Sequence, residues 1–198
     1  MPRPTHLSLA LMLATFAAAP AALAQAYPTK PVTIVVGYPA GGSTDLTGRT
    51  LGDALAKQLG VPVVIENLGG AGGAIGAQKV ASAAPDGYTL LVGANNELAI
   101  SKLVTKTTRY DLKDFTPIGL IASQPMVLVA SPTAGVKNLD EFLAKVKAAP
   151  GKFSYGSSGI GTALHLAGEM VKERAGLFMT HIPYRGVAPL TSDLVGGN

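Results

Sequence analysis

Apolar and polar positions follow one another along this chain in a repeated strand–helix pattern. The segment Val32–Asp45, VTIVVGYPAGGSTD, opens with an apolar, β-branched run that passes directly into a Pro/Gly-rich turn. A helical pattern follows, with Leu51, Leu55 and Leu59 spaced along one face. Strands that are apolar on both faces are typical of parallel sheets covered by helices, so this segment predicts the first strand and helix of an α/β fold.

The same alternation continues through the rest of the chain. Further strands are predicted at residues 61–65, 88–92, 117–122, 126–130, 153–155 and 178–182. Pro62 lies near the start of the first of these strands and places it at a sheet edge. Helices are predicted at 97–104, after an Asn138 cap, after the loops at 67–73 and 156–162, and up to Leu194.

The segment Ser123-Gln124-Pro125 has the composition of a crossover between two domains. We therefore divide the chain into a leader at residues 1–26, a first α/β lobe at 27–122 and a second α/β lobe at 123–198.

The turn after the first strand lies where open α/β sheets bind ligands, at the carboxyl end of a strand and the amino end of a helix. Backbone N–H groups and the helix dipole favour anions at such a place. Gly41 and Gly42 allow close backbone approach, and Ser43, Thr44 and Asp45 offer caps and side-chain hydrogen bonds. An ordinary strand–helix connection is the competing interpretation.

A second polar, glycine-rich turn, at residues 156–162, lies in the other half of the chain. Two such turns, one in each lobe, predict a cleft in which N–H groups and hydroxyls hold a small carboxylate. The candidate binding residues are Tyr38, Pro39, Ala40, Gly41, Gly42, Ser43, Thr44, Asp45, Asn95, Asn96, Ser157, Ser158, Gly159, Gly161, Thr162 and Arg185. Arg185 is the one arginine in a predicted cleft loop, and a structural ion pair is its alternative role.

The amino terminus has the pattern of a secretory signal peptide. Arg3 precedes an apolar core at residues 7–24, and the sequences Ala22-Leu23-Ala24 and Ala24-Gln25-Ala26 match the A-x-A cleavage pattern. We therefore expect export to the periplasm and a mature chain that starts at Gln25 or Tyr27.

Composition excludes several classes of protein. The 198 residues include no cysteine, which removes disulfides, thiolate zinc sites and a cysteine nucleophile. The net charge is +4, and the basic residues are scattered rather than clustered, which argues against a nucleic-acid partner. We predict no cofactor and no metal.

Enzyme motifs are incomplete. The dinucleotide pattern fails because Leu164 stands where a third glycine is required, and no P-loop lysine follows a glycine run. An exported hydrolase that uses Ser157 or Ser158 with His165 stays open as the alternative function. His165 and Glu169 are expected to form a local pair, as their i, i+4 spacing allows. A regulator's effector domain would share this architecture, but the signal peptide and the absence of a helix-turn-helix pattern argue against it.

Five segments, in order and spacing, carry a specific resemblance: YPTKPVTIVVGYPAGGSTD, PDGYTLLVG, FTPIGLIA, YGSSGIGTALHLAGE and PYRGVAPLTSDLVGG. They resemble the Bug family, the extracytoplasmic solute receptors of tripartite tricarboxylate transporters. The resemblance implies a type II periplasmic binding protein fold, with two α/β lobes that close on a small organic acid or amino acid. It also implies a monomer and the membrane subunits of such a transporter as partners.

Residue by residue, the resemblance places Pro39–Gly42 and the loop near Asn95 and Asn96 on the first-lobe side of the ligand. It places Gly156–Thr162 around a ligand carboxylate. Members of the family are longer, whereas this sequence stops at Asn198, directly after Gly196-Gly197. We therefore expect a truncated receptor that lacks its carboxyl-terminal part, is marginally stable and binds organic acids weakly or not at all on its own.

Overall fold

Three parallel strands form the first sheet. The computed structural model describes residues 26–197, so the predicted signal peptide lies outside the described residues. Strands β1 (Val32–Val36), β2 (Val63–Asn67) and β3 (Thr89–Val92) are arranged in the order β2-β1-β3. In this register Ile34 pairs with Ile65 on one side and with Leu90 on the other. The predicted parallel sheet and the edge position of the strand that follows Pro62 are confirmed.

Two helices cover opposite faces of this sheet. Helix α1 (Ser43–Leu59) packs through Leu51 and Leu55 on a core that includes Leu90. Helix α2 (Ala74–Ala81) belongs to a second core that includes Leu91. Neighbouring strand residues point to opposite faces, so the two helices enclose the sheet. This arrangement explains why β1 is apolar along its whole length, with four of its five side chains at 0% exposure.

A helical segment follows β3. It begins with a π-helical turn, Asn96–Ile100, and continues as the short helix α3 (Ser101–Val104). The prediction of a helix at residues 97–104 is confirmed, and its first turn buries the side chain of Glu97 at 1% exposure.

The second sheet contains two parallel strands, β4 (Ser154–Ser157) and β5 (Thr180–Pro183), paired from Ser154↔Thr180 onward. Three helices accompany it: α4 (Leu139–Ala148), α5 (Ala163–Ala175) and α6 (Val187–Gly196). Asn138 caps α4 as predicted, because its side chain accepts a hydrogen bond from the Glu141 N–H at 2.9 Å. None of the helices in residues 26–197 has both the length and the apolarity required to cross a membrane.

The strands predicted at 117–122 and 126–130 are wrong. The structure assigns no regular secondary structure to these residues, and Leu120 and Val127 are 88% and 74% exposed. A strand requires a neighbour for its backbone N–H and C=O groups. Among residues 26–197 no strand pairs with either run. Apolar composition alone is therefore not enough to form strands, and this connection between the two sheets is irregular and exposed.

Candidate functional site

A cavity of about 390 Å³ opens between the loops of the two sheets. Its lining comes mainly from the segments that follow the strands. The lining residues are Tyr38, Gly70–Gly73, Thr105, Ser158–Ile160 and Pro183–Arg185. Ligands of open α/β proteins bind at this carboxyl edge of the strands, and the volume falls within the range of small-molecule sites.

Four helices begin beside this cavity: α1, α2, α5 and α6 each start within a few residues of a lining segment. The first N–H groups of a helix have no acceptor within it, and its dipole places partial positive charge there. Helices α1 and α6 approach each other closely. A Cβ atom on Gly42 would lie 4.0 Å from the Ala188 nitrogen, and one on Gly186 would lie 2.8 Å from Pro39 Cδ. The geometry favours an anion.

Asp45 holds the first-lobe turn in place. Its carboxylate accepts hydrogen bonds from the Gly41 N–H at 2.8 Å, Asn67 Nδ2 at 2.9 Å and Arg49 Nε at 3.0 Å. Burial acts to raise the pKa of Asp45, but the hydrogen bonds from Arg49, Gly41 and Asn67 outweigh it and lower the pKa. Asp45 is therefore ionised and fixes the turn.

Tyr38, Asn96 and Glu97 form a buried hydrogen-bond network at the cavity wall. Tyr38 Oη is 2.7 Å from Glu97 Oε2 and 3.0 Å from the Gly72 carbonyl oxygen, and Asn96 Nδ2 donates to it at 2.8 Å. Asn96 Oδ1 accepts from the N–H of Ala163, the first residue of α5, at 2.8 Å. The Asn96 side chain thus connects the first sheet's loops to a helix of the second.

The second-lobe turn is held by two buried hydroxyls. Ser157 Oγ lies 3.0 Å from the Gly159 carbonyl oxygen and accepts from the Gly159 N–H at 3.2 Å. Thr162 Oγ1 donates to the same carbonyl oxygen at 2.8 Å and accepts from the His165 N–H at 3.4 Å, which caps α5. Both side chains are at most 1% exposed, so they shape the turn that presents Ser158 and Gly159 to the cavity.

The histidines lie in the predicted helix and strand, but their contacts differ from those predicted. Ser157 Oγ contacts His181 Nε2 at 2.7 Å, whereas His165 Nδ1 accepts from the Gly161 N–H at 3.0 Å. The predicted His165–Glu169 pair is wrong, because the Glu169 carboxylate binds Tyr155 and Lys172.

The serine–histidine contact does not form an exposed nucleophile. Burial, and after it the neighbouring His165, lower the pKa of His181. The nearby Ser157 side chain is 0% exposed, so a substrate cannot reach it without displacement of the turn.

Arg185 is the charged residue of the cavity lining, and its side chain is exposed. The ion pairs that form within residues 26–197 do not include Arg185. In this structure its guanidinium therefore stays available to a ligand.

The structure divides the predicted site residues into groups. Those that line the cavity are Tyr38, Ser158, Gly159 and Arg185. Those that support the lining through hydrogen bonds are Gly41, Asp45, Asn96, Ser157, Gly161 and Thr162. The remaining six lie outside the lining. Pro39, Ala40, Gly42, Ser43 and Thr44 are in the turn before α1 or at its start, and Asn95 precedes the π-helical turn.

Several lining residues were missed by the sequence analysis: Gly70–Gly73, Thr105, Ile160, Pro183 and Tyr184. Gly70–Gly73 could have been identified from the sequence, because Gly69–Gly73 is a glycine-rich turn after a strand, as is the turn at 38–45. The sequence pattern was interpreted only as the start of a helix.

Comparison with known proteins places this chain in a family. The model of the tripartite tricarboxylate transporter family receptor matches residues 47–198. The chain belongs to this family. A similar curated protein is BugT of Bordetella pertussis, 37% identical over 96% of this chain and 59% of the relative. The predicted resemblance to the Bug proteins is confirmed.

Solved structures similar to this chain have the same fold. Rpa4515 of R. palustris with adipate is 35% identical with a TM-score of 0.84, over 87% of this chain and 58% of that one. MatC of Rhodopseudomonas palustris with bound malate is 33% identical with a TM-score of 0.79, over 86% and 58%. The periplasmic binding protein fold is thereby confirmed. This chain spans a little under 60% of the length of these relatives.

Proposed function

We propose that this chain forms the binding cleft of a periplasmic receptor that captures a small organic acid with two carboxylates. The observation that carries the proposal is the cavity itself, in which helix amino termini and the single guanidinium of Arg185 surround glycine-rich walls. The two solved relatives that hold adipate and malate support this ligand class. The receptor would be exported through its predicted signal peptide and would deliver the acid, as a monomer, to the membrane subunits of a tripartite tricarboxylate transporter.

The chemistry of the lining suits a dianion. Backbone N–H groups recognise one carboxylate without a fixed charge, and Arg185 offers a bidentate partner to another. Each charge-assisted hydrogen bond contributes about 1.5–3 kcal/mol, and ordering of the ligand and loops offsets part of the total. A cavity of about 390 Å³ has room for an acid of this size.

Isothermal titration calorimetry tests the proposal. The folded chain is titrated into the millimolar range with malate, adipate, citrate, aspartate and, as uncharged controls, the diamides of malate and adipate. We expect a dicarboxylate to bind at least about tenfold more tightly than its diamide, a difference of about 1.4 kcal/mol. Equal affinity for acid and diamide, or no heat with any acid, would contradict the proposal.

Variants localise the binding. Arg185→Gln is expected to weaken dicarboxylate binding by at least about tenfold, since a charge-assisted pair is lost. Arg109→Gln, at an exposed position outside the cavity lining, is the matched control and is expected to bind like the parent chain. Ester hydrolysis that disappears in Ser157→Ala would instead support the hydrolase alternative.

A further inference from the structure

Glu97 is a buried acid that has no basic partner within the described part of the chain. Its side chain is 1% exposed, and its Oε1 accepts from the Ala94 N–H at 2.8 Å. The carboxyl group lies directly behind the cavity wall, because a Cβ atom on Gly73 would be 2.7 Å from Oε2. Among residues 26–197 no ion pair includes Glu97. A carboxylate in such a place would carry an uncompensated charge, which is costly.

The hydrogen-bond donors and acceptors around Tyr38 determine whether Glu97 is protonated. A tyrosine hydroxyl donates one proton and accepts hydrogen bonds through its oxygen. Asn96 Nδ2 is a donor to it, and the orientation of that amide is fixed because Asn96 Oδ1 accepts from the Ala163 N–H. The remaining neighbours are the Gly72 carbonyl oxygen at 3.0 Å, which can only accept, and Glu97 Oε2 at 2.7 Å.

Only a protonated Glu97 satisfies all of these contacts. If Glu97 were ionised, two acceptors would compete for the single Tyr38 proton, and one oxygen–oxygen contact of 3.0 Å or less would have no hydrogen. With its proton on Oε2, Glu97 donates to Tyr38, and Tyr38 donates to Gly72. Every polar atom then has its partner, as buried networks require.

The surroundings of Glu97 agree with this assignment. The titratable groups that face it are Tyr38, from the turn after β1, and Tyr110, whose hydroxyl donates to the Glu97 carbonyl oxygen at 2.7 Å. Burial raises the pKa of Glu97, and the hydrogen-bonding groups around it, the Tyr38 hydroxyl and the N–H groups of Ala94 and of Glu97 itself, oppose this shift without reversing it. Burial raises the pKa of Tyr38 as well.

We propose that Glu97 is a positioning residue that holds a proton at neutral pH and thereby directs the Tyr38 hydroxyl onto Gly72. The bond from Tyr38 to Gly72 fixes the Gly70–Gly73 wall of the cavity. Ionisation of Glu97 would draw the Tyr38 proton away from Gly72 and would place a negative charge behind the wall that receives the anion. Affinity for an organic dianion therefore falls as the pH rises through the titration of Glu97. This second part rests on the proposed function, whereas the protonation itself does not.

Infrared difference spectroscopy tests the protonation without a ligand. We expect a carboxylic-acid C=O band at about pH 7, well above the ordinary pKa of glutamate, that shifts in D₂O and is lost in Glu97→Gln. If the parent chain lacks this band, Glu97 is ionised and the proposal is overturned, while the proposed receptor function is unaffected.

The pH profile of binding tests the consequence. Dissociation constants for malate and adipate are measured between about pH 6.5 and pH 9, where both ligands are dianions, in the parent chain, in Glu97→Gln and in Glu173→Gln. The amide of glutamine donates to Tyr38 at every pH, so Glu97→Gln is expected to have a flat profile. The parent chain and the exposed control Glu173→Gln are expected to lose about tenfold or more at the alkaline end. Identical profiles for the parent chain and Glu97→Gln would overturn the coupling to the cavity, and absent binding in all three would count against the receptor function instead.

Discussion

The two sides of the cavity are held by different chemistry. On the first-sheet side, Asp45 and Glu97 anchor the loops through contacts between residues 22 and 59 positions apart, such as Asp45–Asn67 and Tyr38–Glu97. On the second-sheet side, Ser157 and Thr162 bind Gly159, two and three positions away. The second side is thus held mainly within its own turn, with a longer contact from Ser157 to His181. The first side depends on long-range contacts and on the protonation states of Asp45 and Glu97.

The two acids themselves differ in charge because their donors differ. Asp45 receives three hydrogen bonds, one of them from a guanidinium, and these outweigh its burial. Glu97 has the N–H groups of Ala94 and of Glu97 itself and a tyrosine contact, none of them charged, so burial prevails and its pKa rises. A charged donor therefore distinguishes the buried carboxyl group that stays ionised from the one that does not.

The largest expected effect follows from Gly73→Ala on the first-sheet side. Gly73 has a φ of +97°, and the new Cβ would lie 2.7 Å from Glu97 Oε2 and 2.9 Å from Tyr38 Oη. We expect a loss of about 3 kcal/mol or more in unfolding free energy, since strain and a disrupted buried network combine. We also expect dicarboxylate binding to disappear. Chemical denaturation and calorimetry measure the two effects.

Gly60→Ala is the matched control for backbone strain. Gly60 ends α1 with a φ of +68°, and an added Cβ would meet nothing within 4 Å. It is expected to cost about 1 kcal/mol and to leave binding intact. Equal losses in Gly60→Ala and Gly73→Ala would show that the network behind the cavity contributes little.

Much of the fold was predictable because local patterns determine it. The apolar run of β1, the stripe of Leu51 and Leu55 and the cap at Asn138 each predict an element that the structure contains. The runs at 117–122 and 126–130 have the same apolar character, but strand formation also depends on a neighbour that local sequence does not provide. The division into lobes at residue 122 stays a prediction.

The site was predictable on its local side and not on its long-range side. The turn around Gly159 was identified from its glycine and serine pattern, and Ser158 and Gly159 do line the cavity. The buried position of Glu97 could not be predicted, because a single glutamate in a helical pattern is typical of a solvent-exposed face. Its importance depends on Tyr38, which is 59 positions away in sequence.

The next effect in size is expected from Asp45→Ala. Removal of the carboxylate leaves the Gly41 N–H and Asn67 Nδ2 without their acceptor, and Arg49 without its ion pair. We expect a loss of about 2–4 kcal/mol in unfolding free energy, measured by urea denaturation. Asp53→Ala, at an exposed position on the same helix, is expected to change stability far less. Similar losses in both variants would mean that the buried contacts of Asp45 are weak.

The comparison of the two acids predicts opposite pH dependence of stability. The pKa of Asp45 is lowered, so its contribution is present above the unfolded value of 3.8 and is lost as the pH falls through the folded pKa. The pKa of Glu97 is raised, so its contribution is present below 4.5 and is lost as the pH rises through the folded pKa. Denaturation across the pH range should therefore show a shallower acid decline in Asp45→Asn and a shallower alkaline decline in Glu97→Gln. Curves parallel to that of the parent chain would contradict the assigned charge states.

The smallest effect is expected on the second-sheet side, from Thr162→Ala. The Thr162 hydroxyl is buried and already bonded to Gly159 and to the His165 N–H, so we expect the loss of a helix cap, about 1 kcal/mol of unfolding free energy, at every pH. Thr162→Ser, which keeps the hydroxyl, should restore most of that loss. Thr50→Ala, at an exposed position in α1, should change little. If Thr162→Ala instead weakened dicarboxylate binding with no change in unfolding free energy, the hydroxyl would face the ligand. The second side would then act by direct contact rather than by holding its turn.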